Sequence, residues 1–114
     1  MIFIQHDGSQ WNVYKPNTEE WKLLDELEVL PSDLILSKTA NDSFYKSTLE
    51  SKLLELNVKE LYITGCATDF WVESTIQSAI TKEYHITVVE DGHTTGERLN
   101  LSAKDVITYY NWIW

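Results

Sequence analysis

Thr64-Gly65-Cys66-Ala67-Thr68-Asp69-Phe70-Trp71-Val72-Glu73-Ser74-Thr75 passes from a strand into a helix within four residues. Just before it, Leu61-Tyr62-Ile63-Thr64 is a short apolar run closed by Gly65, the pattern of a buried strand. Just after it, Thr68 can cap a helix on which Val72, Ile76, Ala79 and Ile80 form one apolar stripe. A helix N-terminus presents free N–H groups and a partial positive charge, so a thiolate or an oxyanion would gain most at this turn. With a single Gly the turn lacks both the dinucleotide fingerprint and the P-loop, and no nucleotide or other cofactor is expected.

The alternation of strand and helix continues in both directions. Ile2 to Gln5 reads as a strand followed by the turn formers His6-Asp7-Gly8-Ser9, and Asp33 to Lys38 reads as a second, with Lys38 at its C-terminal end. Between them the chain is polar and irregular, with a helix predicted from Thr18 through Trp21, Leu24 and Leu27. Ser47 and Glu50 form a capping box ahead of Leu49, Leu53 and Leu56, a helix predicted to end near Asn57. His85 to Glu90 is another strand, Asp91 to Gly96 a loop, and Ser102 with Asp105 starts a last helix carrying Ala103, Val106, Ile107 and Tyr110 on one face. The pattern implies one α/β domain over residues 1–114, Rossmann-like and three-layered, with a mostly parallel sheet joined by right-handed crossovers. Ligands in such sheets bind beyond the C-terminal strand ends, here the loops after Lys38, at Gly65 to Thr68 and at Asp91 to Gly96.

Composition narrows the partners. Nine Lys and Arg against eighteen Asp and Glu leave a formal charge of −9, which repels phosphate backbones and anionic bilayers, so neither nucleic acid nor membrane is expected. One Cys cannot form an internal disulfide, and the opening MIFIQHDGSQ has neither the basic flank nor the apolar length of a signal peptide, so a cytoplasmic location is expected. Tyr109, Tyr110, Trp112, Ile113 and Trp114 make an aromatic end suited to an interface, and a homo-oligomer is expected.

The chain resembles the isochorismatase-like cysteine hydrolases, which include the nicotinamidases and related amidohydrolases. Their motif T-G-x-x-T-D-[FY]-C-V-x-x-T is matched at Thr64, Gly65, Thr68, Asp69, Phe70, Val72 and Thr75. The resemblance extends through Gln5-His6-Asp7-Gly8, Lys38, Asp42-Ser43-Phe44, Leu49-Glu50 and Asp91-Gly92-His93-Thr94-Thr95 to Asn111-Trp112. It implies a triad in which a Cys attacks an amide or related carbonyl, an Asp takes its proton and a Lys holds the charges. It also implies a non-proline cis peptide near Cys66-Ala67-Thr68 that helps to form an oxyanion hole.

Mapped residue by residue, Lys38 falls on the family's Lys, and the family's Cys falls on Trp71, which cannot act as a nucleophile. The family's Asp ends a first, central strand that precedes the one matching Ile2 to Gln5. The resemblance therefore implies a domain lacking its first strand and helix, with the strand of Ile2 either moved beside that of Leu61 or separated from it by a gap. Cys66, five residues ahead of Trp71, reads as a buried inert thiol. His6, Phe44 and His93 are candidates for a substrate pocket. Nicotinamidases bind metal with one Asp and two His, but only His6 and Asp7 lie in that region and their spacing is wrong, so no metal is expected. The function expected is that of an amide-hydrolysing family member with impaired catalysis; the alternative is a non-catalytic protein that keeps the fold to bind a small molecule or a partner.

Overall fold

A computed structural model describes all residues, 1–114. The chain runs β1 (Ile2–His6), β2 (Leu34–Lys38), α1 (Leu49–Glu55), β3 (Glu60–Cys66), α2 (Glu73–Thr81), β4 (His85–Thr94) and α3 (Ala103–Ile113). A single turn of π-helix, Thr68–Val72, joins β3 to α2. All ladders are parallel: β1 pairs with β2 from Ile2 opposite Leu34 to His6 opposite Lys38, and β3 pairs with β4 from Glu60 opposite His85 to Cys66 opposite Thr94. The β3–β4 register slips between Ile63 and Gly65, and Gly65 takes the φ of +121° that this irregularity needs, a conformation that side chains disfavour.

Both ladders rest on one apolar layer. Phe44, Leu49 and Leu53 from the α1 region and Ala79 from α2 form the buried cluster, against which pack Ile2, Ile4 and Leu36 of one ladder and Leu61 and Ile86 of the other. This α/β arrangement of parallel strands and flanking helices is the fold read from the sequence. Of its two alternatives for the sheet, the structure has the gap: β1 and β3 share no ladder, and the strands form two separate pairs. No helix is long and apolar enough to cross a membrane.

Several local expectations are corrected. The predicted helix over Thr18 to Leu27 is a series of turns, with bonds such as Trp21 N–H to the Thr18 carbonyl in place of a helical ladder. Leu24 is 70% exposed and Leu27 43%, so no apolar face is buried to offset the ordering cost of a helix. The Ser47–Glu50 capping box does not form: the Ser47 hydroxyl accepts from Leu49 N–H and donates to the Ser43 carbonyl, while Glu50 pairs with Lys82. Thr68 does not cap α2, because its hydroxyl is turned to His93, and Ile80 leaves the predicted stripe for solvent. Asp91 to Thr94 extend β4 in place of beginning a loop. The capping box of Ser102 and Asp105 forms as read.

Candidate functional site

The C-terminal ends of β1, β2 and β3 bring together His6, Lys38 and Trp71. Lys38 is only 5% exposed. Its ammonium donates to the Asn41 carbonyl at 2.6 Å and stands 5.5 Å from the centre of the Trp71 ring, within reach of a cation–π attraction. No carboxylate pairs with it directly. Burial therefore dominates and pushes the Lys38 ammonium down to about 8, against the weaker pull of Asp42.

His6 lies between two indoles. Its ring stacks on Trp71 at 5.1 Å and 23°, and on Trp11 at 6.2 Å and 15°, while Tyr14 stands edge-on to both His6 and Trp71. Burial, and then the nearby Lys38 charge, hold its imidazole below the ordinary histidine range, so the ring is neutral at pH 7. Its Nδ1 is buried and without a partner. These rings, with Asn41, Ala67 and Phe70, line an open cleft of about 370 Å³. The cleft offers flat apolar walls suited to small planar molecules, and the Lys38 ammonium lies off its surface, 5.5 Å from the centre of the Trp71 ring that lines it. No thiol is among the residues that line it.

Two hydrogen-bonded chains fix the turn that carries Trp71. Thr68, fully buried, donates its hydroxyl to His93 Nδ1 at 2.9 Å. His93 Nε2 in turn donates to Asn111 Oδ1 at 2.8 Å, and the Asn111 amide donates to the Glu90 carbonyl, which sets that side chain's orientation and hence the histidine tautomer. On the other side Asp69 accepts from Arg98 Nε at 2.6 Å and Nη2 at 2.8 Å, and from the Thr95 hydroxyl at 2.6 Å. Arg98, the chain's single arginine, lies over the Phe70 ring and holds the Asp69 carboxyl below its usual range. The Cys66–Ala67 peptide bond is cis.

Trp71, His6 and Ala67 thus share one cleft, with Lys38 buried next to the Trp71 ring, whereas three other candidates lie elsewhere. Phe44 is a core residue, stacked on Tyr84 and packed with Leu49 and Leu53. His93 is 5% exposed and committed at both nitrogens to Thr68 and Asn111, so it ties the π-turn to α3 and does not face a substrate. Cys66 is exposed and not buried, because β3 runs on past the helical layer before the chain turns. Trp114 is likewise not a free interface residue: its indole N–H donates to Glu73 and its ring stands against His93, leaving Tyr109 and Trp112 as the outward-facing aromatics of α3. Sequence reading missed Trp11, Tyr14 and Asn41, which lie in turns without periodic signal, and missed the Asp69–Arg98 pair that the lone arginine could have suggested. No group of three His, Cys, Asp or Glu side chains converges to hold a metal.

A family model for the isochorismatase domain matches residues 2–104. The ureidoacrylate amidohydrolase RutB of Cronobacter sakazakii is 34% identical over 97 residues, covering 82% of this chain and 42% of that protein. RutB of Caulobacter vibrioides is also 34% identical, with 43% of its length covered. The chain therefore spans about two fifths of the length of these curated relatives. Among solved structures, the crystal structure of an isochorismatase family protein superposes with a TM-score of 0.93 at 29% identity, over 99% of this chain and 66% of that one. The nicotinamidase of Staphylococcus aureus shares the fold, with a TM-score of 0.78 at 22% identity over 96% of this chain and 65% of its own.

Proposed function

The chain belongs to the isochorismatase family, and from that premise we propose that it is a member whose thiol-dependent amide hydrolysis is lost. One observation carries the reading: the position that matches the family's nucleophile is Trp71, whose ring is stacked on His6 and lies beneath the Lys38 ammonium. An indole has no atom that ionises and attacks a carbonyl near neutral pH, so no acyl-enzyme can form at this position. The test is ammonia release from ureidoacrylate, nicotinamide and N-carbamoylsarcosine by the purified chain. The expected rate equals the buffer blank; hydrolysis that disappears in Lys38→Ala overturns the proposal.

A second reading, small-molecule binding without turnover, draws support from a different observation. Lys38 is buried without a direct counter-charge 5.5 Å from the centre of the Trp71 ring that lines the cleft, so a planar carboxylate in the cleft would gain stacking on that ring and the field of a nearby cation. Quenching of tryptophan fluorescence by ureidoacrylate, lost in Lys38→Ala, is the expected result. Equal quenching in both proteins counts against it.

A further inference from the structure

One apolar side chain of this protein has no cover at all. Leu99 is 97% exposed, more than any other large apolar residue. It stands in a tight turn: Arg98 N–H donates to the Leu101 carbonyl at 2.9 Å and Leu101 N–H donates back to the Arg98 carbonyl at 3.2 Å, with only Leu99 and Asn100 between them. Both ends of the turn are anchored. Arg98 is held by Asp69 and by the Thr95 hydroxyl, and Ser102 caps α3 on the other side. The backbone thus fixes the turn that presents this leucine to water.

A hollow of matching character lies beside the turn. The Arg98 guanidinium is 5.1 Å from the centre of the Phe70 ring, and Phe70 lines the cleft together with His6, Trp11, Val13, Tyr14 and Trp71. The mouth of the cleft is apolar and wet: Trp11 is 62% exposed, Phe70 48%, and Val13 and Tyr14 44% each. Its volume of about 370 Å³ admits a leucine side chain, yet the exposure of Leu99 shows that the residue does not enter the cleft of its own chain. An apolar projection next to an apolar hollow is self-complementary across a two-fold axis, because each copy's projection meets the other's hollow and two contacts form at once.

Charge and area both allow such a pairing. The formal charge of −9 opposes contact between copies, but no carboxylate lines the cleft and Asp69 beside it is paired with Arg98. A monomer of 13.3 kDa is expected to expose about 6,500 Å². This chain exposes 8004 Å². The excess, roughly 1,500 Å², is larger than the ~800 Å² that each partner of a standard stable interface contributes.

We propose that the chain forms a two-fold dimer in which Leu99 of each copy seats in the aromatic cleft of the other. The second copy then supplies a residue to the cleft and closes the side that one chain leaves to water. The inference rests on the turn, the exposed cleft walls and the surface area, and it is independent of whether the cleft takes a small molecule.

The test is light scattering and sedimentation of the purified chain from micromolar to near-millimolar concentration, with tryptophan emission followed over the same series. A monomer–dimer equilibrium that stops at two copies is expected, with emission moving to shorter wavelength as Trp11 loses water. Leu99→Asp should raise the dissociation constant by roughly a hundredfold or more, since two leucines leave each interface. It should leave the urea midpoint of the dilute chain unchanged, because Leu99 is exposed there. Trp11→Asp, on the cleft side, should weaken the dimer similarly. An equal mixture of the two variants restores one of the two contacts, the intact Leu99 of one entering the intact cleft of the other, and should associate more tightly than either variant alone. Four results overturn the proposal: a monomer throughout the series, growth beyond two copies, Leu99→Asp as tight as the parent, or a mixture no tighter than its components.

Discussion

Replacing Lys38 with Met should stabilise the fold at neutral pH, and the size and pH dependence of that gain follow from the burial of its ammonium. In the folded chain the group titrates at about 8, against an ordinary value of 10.5, because water is excluded and no carboxylate takes its place. A lysine whose folded pKa lies below its unfolded one binds fewer protons when folded, so stability rises as pH climbs from about 8 toward 10.5. Below pH 8 both states are protonated and the full cost of burying the charge is present, about 3 kcal/mol by linkage. The bond to the Asn41 carbonyl and the Trp71 ring offset part of it, so Lys38→Met should gain roughly 1–3 kcal/mol at pH 7. Between pH 7 and 9.5 the parent should gain about 2 kcal/mol that the variant does not. Urea unfolding of both proteins at half-unit steps over that range measures the difference directly, since other titrations cancel between them. A variant less stable than the parent at pH 7, or a difference that does not shrink with pH, would refute the argument that this cation is buried uncompensated.

Thr68→Val removes the hydroxyl that satisfies His93 Nδ1 while keeping the volume, and should cost about 1–3 kcal/mol in urea unfolding, as for other orphaned buried acceptors. Asp69→Asn should cost a similar ~1–3 kcal/mol at pH 7. Its carboxyl is held below 3.8 by Arg98, so the contribution is fully present above that value and is lost as pH falls through the lower folded one, and the parent and variant should converge only in strong acid. Gly92→Ala would place a Cβ 2.8 Å from Val89 Cβ within β4 and 3.0 Å from Thr64 Cγ2 of β3, so both side chains must shift; a midpoint fall worth roughly 1–3 kcal/mol is expected in thermal unfolding.

What could be read from the sequence divides along a physical line. β1 to β4 and α3 were legible because each is a short apolar or capped segment whose pattern is set by its own residues, as with Ser102 and Asp105 at the start of α3. Thr18 to Leu27 misled because spaced Trp and Leu residues look like a helix stripe, yet only tertiary burial would stabilise so short a helix, and nothing packs on Leu24. Lys38 and Trp71 were found through their places in a motif. Trp11, Tyr14 and Asn41 were not, since they reach the cleft through turns whose path depends on contacts far along the chain. His93 shows the opposite error: a histidine beside a site draws a functional reading, but its two bonds to Thr68 and Asn111 give it a structural one.

Trp71 and Lys38 meet in the folded chain but are held by different parts of it. Lys38 closes β2, where its ammonium bonds to the Asn41 carbonyl. The indole belongs to the π-turn fixed by Thr68 and Asp69, and its ring meets both that ammonium and His6 at the end of β1. A carboxylate brought beside the Lys38 ammonium would return its pKa toward the ordinary lysine range, and the stabilising effect of Lys38→Met would turn into a loss. It would leave the π-turn, and with it Trp71, as they are, because Thr68 and Asp69 are anchored to His93 and Arg98 and not to Lys38.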